Sequence, residues 1–121
     1  MAKFRIIYYI TLVCPTLEAS LQKIEVYIAH GAIALQIDMP SREPTLETPF
    51  VAEMMAEALK KYHGYDHFMT ALQELRKRHP DVEIHLVLYP DVIESIGIQR
   101  FVEFFKASNF SSLMLVAADA P

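Results

Sequence analysis

Apolar and polar positions along this chain fall into blocks whose period switches between that of a strand and that of a helix. Phe4 to Thr11 (FRIIYYIT) is dense in β-branched and aromatic residues, which predicts a buried strand. The period then lengthens. Leu17, Leu21, Ile24 and Ile28 recur at helical spacing, Thr16 is placed to cap that helix, Glu18 falls in its first turn, and Gly31 stops it. Ala32 to Ile37 (AIALQI) is short and nearly all apolar, as strands of a parallel sheet covered on both faces are. It empties into a polar loop, Asp38 to Pro49, that carries Pro40, Pro44 and Pro49 and several charges.

A helix from Phe50 to about His63 follows, with Phe50, Met54, Ala58 and Tyr62 on one side. Gly64 breaks it. Asp66 is placed to cap the next helix, which carries Phe68, Leu72 and Leu75 and ends in Lys77-Arg78-His79, cations that complement a helix C-terminus. Pro80 forbids continuation. Glu83 to Leu88 (EIHLVL) predicts a third strand, and Tyr89, Pro90 and Asp91 a loop. Gly97 precedes a helix with Ile98, Phe101, Val102 and Phe105 on its apolar face, and Ser112 to Ala117 (SLMLVA) predicts a fourth strand.

The order is strand–helix–strand–helix–helix–strand–helix–strand, which implies an α/β fold with a parallel sheet and right-handed crossovers. At 121 residues the whole chain, 1–121, reads as one domain. Four parallel strands do not close a barrel, so the first and last would be open edges, a liability relieved by pairing with another copy or another subunit.

Composition narrows the partners. With 53% apolar and 21% charged residues the chain builds a core and is not disordered, and a net charge of −4 without a basic block argues against nucleic acid. The first apolar run is too short to span a membrane. Cys14 is the single cysteine, so no intrachain disulfide forms, and a reducing, cytoplasmic setting fits.

Candidate chemistry concentrates where the second strand ends, since ligands of such folds bind at strand C-termini. Gln36 and Asp38 flank that end; the bland reading is a loop hydrogen bond and the sharp one a site role. Asp38, Glu43 and Glu47 offer oxygen ligands of the Mg²⁺ type, though three acids in a solvated loop are ordinarily just solvated. His63 and His67 are four apart, but Gly64 intervenes, so they do not form a helical zinc pair. Cys14 has no visible base to activate it and reads as a passive thiol. Arg76-Lys77-Arg78 reads as a solvated helix end. Gly31, Gly64 and Gly97 look like turns or helix stops and give no phosphate cradle.

Four local stretches resemble the tryptophan synthase alpha subunit family. Tyr9-Ile10-Thr11, Pro15 and Leu17-Glu18-Ala19-Ser20-Leu21 resemble the end of its first strand and the following helix. Leu35-Gln36-Ile37-Asp38-Met39-Pro40-Ser41-Arg42-Glu43-Pro44-Thr45-Leu46-Glu47-Thr48-Pro49 resembles its second-strand signature, roughly L-E-L-G-x-P-F-S-D-P-x-A-D-G-P. Leu88-Tyr89 through Gly97-Ile98 and Phe101 resembles the exit of its third strand, and Val116 to Pro121 the end of its fourth. The resemblance implies half of a TIM-type (βα)8 barrel. It implies a lyase of tryptophan biosynthesis that cleaves indole-3-glycerol phosphate to indole and glyceraldehyde 3-phosphate. That lyase uses no metal or organic cofactor of its own and hands indole to a beta subunit.

By that resemblance the catalytic Glu falls on Gln36 and the catalytic loop Asp on Glu47. Thr11, Tyr89 and Asp119 fall at substrate-binding positions. A neutral amide at Gln36 cannot act as a general acid or base. Glu47 keeps the charge but adds a methylene, and a misplacement of about 1 Å costs on the order of a hundredfold. The family glycine after the strand falls on Asp38 and the one before the last proline on Thr48. The expectations are therefore an alpha-like chain impaired in cleavage, or a non-catalytic module that contacts a beta subunit or completes a barrel as a homodimer.

Overall fold

The computed structural model describes residues 6–116. Its elements, in chain order, are β1 (Ile7–Ile10), α1 (Leu17–Ala29), β2 (Ala34–Ile37), α2 (Pro49–Tyr62), α3 (Asp66–Arg78), β3 (Glu83–Leu88), α4 (Pro90–Ile96), α5 (Ile98–Ala107) and β4 (Ser112–Leu115). All three strand pairings are parallel and the sheet order is β1-β2-β3-β4. Each return between neighbours runs through helices, as parallel pairing requires.

Register decides what faces where, because residues in register across parallel strands project to one side. Ile10, Leu35, Ile37, Ile84, Leu86 and Leu88 project toward the helices and join one core with Ile24, Met55, Phe68, Leu72, Leu75 and Phe101. Tyr8, on the same side, stacks on Tyr27 of α1 with centroids 4.1 Å apart. Burial of each such aliphatic side chain contributes roughly 1.5–3 kcal/mol. The other side is different. Ile7 pairs with Ala34 and so with Glu83; Tyr9, Gln36, His85 and Ser112 form the next row. There Ile7, Tyr9 and Met114 stay about half exposed. The sheet is thus covered on one face, not the two that the apolar strands predict.

Several local expectations shift. Tyr89-Pro90-Asp91 opens a helix, α4, with Pro90 in its first turn, where the missing N–H costs nothing. α2 turns its Val51, Met55 and Leu59 line inward, with Met54, Ala58 and Tyr62 flanking it, while Phe50 lies 71% exposed. In α5 the buried pair is Phe101 and Phe104, and Ile98 is exposed. Asp66 is the first residue of α3 rather than its cap; Tyr65 holds the cap position, and Asp66 pairs with Arg100. Thr48 caps α2 by accepting from the Val51 N–H at 3.3 Å. His63 closes α2 in the left-handed region at φ 56°, and Gly64 follows at φ 121°, a conformation glycine adopts without strain.

Arg76 corrects the expectation of a solvated helix end. It is 9% exposed, and its guanidinium donates to the carbonyls of Ser108 at 2.9 Å, Val82 at 2.6 Å and His79 at 3.1 Å. One side chain thereby ties the end of α3 to the segments entering β3 and β4.

Candidate functional site at the strand ends

The C-terminal ends of the strands carry a loop that is held down at both ends. After β2, Ser41 is buried and donates to an Asp91 carboxylate oxygen, while the Arg42 backbone N–H donates to the other at 2.9 Å. Arg42 also donates to Ser95 Oγ at 2.8 Å. The Tyr65 hydroxyl donates to the Pro40 carbonyl at 2.7 Å. Further along, the Leu46 N–H donates to the Tyr89 hydroxyl at 3.1 Å. The sequence gives the reason: Asp91 and Tyr89 flank Pro90 at the exit of β3, so one short segment presents both a carboxylate and a phenol to the neighbouring loop.

Beneath this loop lie the residues singled out from the sequence. Gln36 lies on the uncovered face, half-buried, in register between Tyr9 and His85, and its amide makes no side-chain hydrogen bond to a described residue. His85 meets Ser112 at 2.6 Å through Nδ1 and Glu83 at 3.2 Å through Nε2. Thr11 lies at the end of β1, its carbonyl accepting from the Ser20 hydroxyl and the Cys14 N–H. Glu47 is partly buried near the end of the loop, and its charge reaches Tyr9, Asp38 and Tyr89, raising all three. Gln36, Thr11, Glu47 and Tyr89 therefore gather at one mouth. Asp119 lies outside the described residues.

The sequence left Asp38 open between a loop hydrogen bond and a site role. Asp38 is 3% exposed. One carboxylate oxygen accepts from the Leu12 N–H at 2.8 Å and the other from the Tyr9 hydroxyl at 3.3 Å. Burial is the largest influence and pushes its carboxyl up to about 7, with the Glu47 charge adding to it and the Leu12 N–H opposing. The available signal was parity: Asp38 falls two residues after Gln36 and shares its side of the strand. Burial also raises the Cys14 thiol, which does not favour a nucleophilic role.

That carboxyl binds its proton more tightly folded than free, near 3.8, so its stabilising contribution is complete below about 3.8 and is lost as pH rises through about 7. The stability advantage of the wild-type chain over Asp38→Asn is expected to fall by at least about 1 kcal/mol between about pH 5.5 and 8, read from urea unfolding at each pH. An advantage that stays flat across that range would contradict a tightly held proton at Asp38.

Among the described residues no group of three or more His, Cys, Asp or Glu is arranged to hold a metal ion, and no helix is long and apolar enough to cross a membrane. A groove of about 280 Å³ lies beside the mouth, between the start of α1 and α2, lined by Val13, Pro15, Leu17, Met54, Ala58 and Tyr62.

Among the described residues, four parallel strands in chain order, helices on one side and a loop-built mouth at the strand C-termini define an α/β protein of the TIM-barrel class, present here as half of the barrel. The chain belongs to the tryptophan synthase alpha chain family, whose pattern it matches over residues 2–121. It is 30% identical over 107 residues to the tryptophan synthase alpha chain of Corynebacterium diphtheriae, covering 88% of this chain and 38% of that one. It is 30% identical over 113 residues to that of Erwinia tasmaniensis, covering 93% and 41%. The chain thus spans about two fifths of the length of these relatives. Among solved structures, the alpha chain from Legionella pneumophila superposes with a TM-score of 0.76 at 23% identity, over 94% of this chain and 42% of that one. A ligand-free tryptophan synthase from M. tuberculosis superposes at 0.74 and 16% identity, over 92% and 44%. At those identities the superpositions speak for the fold alone.

Proposed function

We propose that this is a tryptophan synthase alpha-like chain tied to aldol cleavage of indole-3-glycerol phosphate, with cleavage impaired at position 36. The observation that supports it most is the placement of Gln36. It occupies the strand-end position at which the family signature has its catalytic Glu, on the uncovered face, between Tyr9 and His85. An amide there can orient an indole N–H or ring edge but has no proton to give or take at ordinary pH. Glu47 and Tyr89 stand at the same mouth as the expected second carboxylate and a substrate contact. The test is indole release from indole-3-glycerol phosphate by the wild-type chain and by Gln36→Glu.

A second reading has its own observation. The uncovered face leaves Ile7, Tyr9 and Met114 half exposed, and β1 and β4 each have a free edge among the described strands. Such a face suits an assembly module, completed by a second copy or applied to a beta-type subunit. The wild-type chain is expected to behave as a dimer in light scattering across a dilution series. A mass that stays monomeric at every concentration would eliminate barrel completion by a second copy and leave beta-subunit contact, read as a change in beta-subunit turnover on mixing.

A further inference from the structure

Asp38 is the only buried carboxyl among the described residues, and the cleavage reading gives it no part. The family signature has glycine at its position, so nothing carried over from the family explains it. Its surroundings are specific. The Leu12 N–H holds one oxygen at 2.8 Å, and the Tyr9 hydroxyl meets the other at 3.3 Å. Tyr9 is 50% exposed and stands in register with Gln36 on the uncovered face. The buried acid thus meets that face through a hydroxyl, a group that both donates and accepts.

We propose that Tyr9 and Asp38 form a proton-relay dyad opening on the uncovered sheet face, where it exchanges a proton with a flat aromatic ligand seated over Tyr9, Gln36 and His85. The ligand class rests on the reading under Proposed function; the dyad itself does not. With Asp38 protonated, its O–H donates to Tyr9 Oη, and the Tyr9 O–H is freed to donate outward. In the transfer, the Tyr9 proton passes to an acceptor atom of the ligand while the Asp38 proton passes to Tyr9 Oη. Tyr9 ends neutral as it began, Asp38 ends as carboxylate, and the ligand gains one proton. Reversal restores each group, and no electrons leave the pair. The Leu12 N–H holds Asp38 in both states.

The groups that act on Asp38 fit this role. Tyr9, Thr11 and the Leu12 N–H come from the end of β1, Glu47 from the loop, and Tyr89 and Cys14 feel its charge from the segments after β3 and β1. None is a cation. Burial and the Glu47 charge together leave the carboxyl near 7, where both forms are populated at neutral pH. Tyr9 is pushed well above the ordinary tyrosine range, by burial first and then by Asp38, so it stays neutral and relays without ionising.

The experiment is infrared difference spectroscopy of the full chain across neutral pH, followed by indole binding. A purely structural Asp38 needs only to accept from Leu12, which Asp38→Asn does equally well, so that variant keeps the fold. The protonated-carboxyl band of Asp38 is expected to vanish with a midpoint near 7, and the C–O stretch of Tyr9 to shift in the same titration. Tyr9→Phe removes the tyrosine shift and keeps the carboxyl titration; Asp38→Asn removes both. A Tyr9 stretch that ignores pH, or a carboxyl that titrates in the ordinary range near 4, overturns the dyad.

For binding, the chain has no tryptophan, so indole fluorescence belongs to the ligand. 7-Azaindole, an indole analogue that adds the ring-nitrogen acceptor indole lacks, is expected to bind about fivefold tighter on the acid side of the midpoint, the weight of one net hydrogen bond, whereas indole itself shows no such gain. The difference between the wild-type and Asp38→Asn profiles isolates this effect, because every other group is common to both chains. Concerted titration without indole binding at any pH overturns the ligand class and the reading it rests on, with the dyad intact. 7-Azaindole binding whose pH profile is unchanged by Asp38→Asn overturns the relay to the ligand.

Discussion

A chain carrying Gln36→Glu is expected to release indole from indole-3-glycerol phosphate about 10²–10⁴ times faster than the wild-type chain, the range that a positioned general acid or base supplies. The exchange is nearly isosteric, and the side chain points away from the helix-packed core, so the gain comes without rearrangement. The new carboxyl would lie half-buried in a row with Tyr9 and His85, and two residues from the Asp38 carboxyl on the same side of β2. Partial burial and a like charge both raise a carboxyl toward the pH at which acid–base catalysis is most effective. Chromatographic quantification of indole under single-turnover and steady-state conditions reads the effect, and an unchanged thermal midpoint shows that the fold is the same. A rate that does not move would shift the function to assembly, since position 36 would then not be what limits cleavage.

Arg76→Ala is expected to destabilise the fold by about 3 kcal/mol, because one buried and several partly buried carbonyls lose a charged donor at once. The shortest contact, to the Val82 carbonyl at 2.6 Å, joins α3 to the segment entering β3; the one to Ser108, at 2.9 Å, joins it to the turn before β4. A further donation reaches the Asn109 carbonyl at 3.3 Å. Arg76→Lys should recover only part of the loss, because an ammonium cannot span carbonyls that diverge around a planar fork. Urea unfolding gives the free energies, and the rank order of wild type, Lys and Ala separates a lost charge from a lost geometry. Equal stability of the three would mean that the carbonyls find water instead.

The elements were legible where a single physical demand dominates. Glu83–Leu88 is bounded as its alternating apolar run predicts, and Thr16 caps α1 by accepting from the Ala19 N–H at 3.1 Å. Legibility failed where two demands compete. Phe50 and Ile98 satisfy helical spacing yet lie at helix starts beyond the core, so periodicity placed them inside while packing left them out. Arg76 sits in a run of cations whose neighbours Lys77 and Arg78 are exposed; the carbonyls that converge on it, from the segment before β3 and the distant turn before β4, single it out. At the strand ends, the resemblance named Gln36, Glu47, Thr11 and Tyr89 as candidates. Asp38 became visible through three-dimensional burial, because its partners come from β1 and the turn just after it, 29 and 26 residues earlier in the chain. The pinning of the loop by Asp91 and Tyr89 likewise depends on a neighbour strand that is distant in sequence.

The strand order of the sheet repeats the order of synthesis: β1, β2, β3, β4. Each new strand finds its pairing edge already made by the strand before it, and no gap has to be held open for one translated later. A ribosome delivers about 5–20 residues per second, so each βα unit has seconds to dock before the next emerges. Vectorial growth of this kind leaves β4, the outer edge of the described sheet, as the natural point at which a further strand, from whatever source, is added.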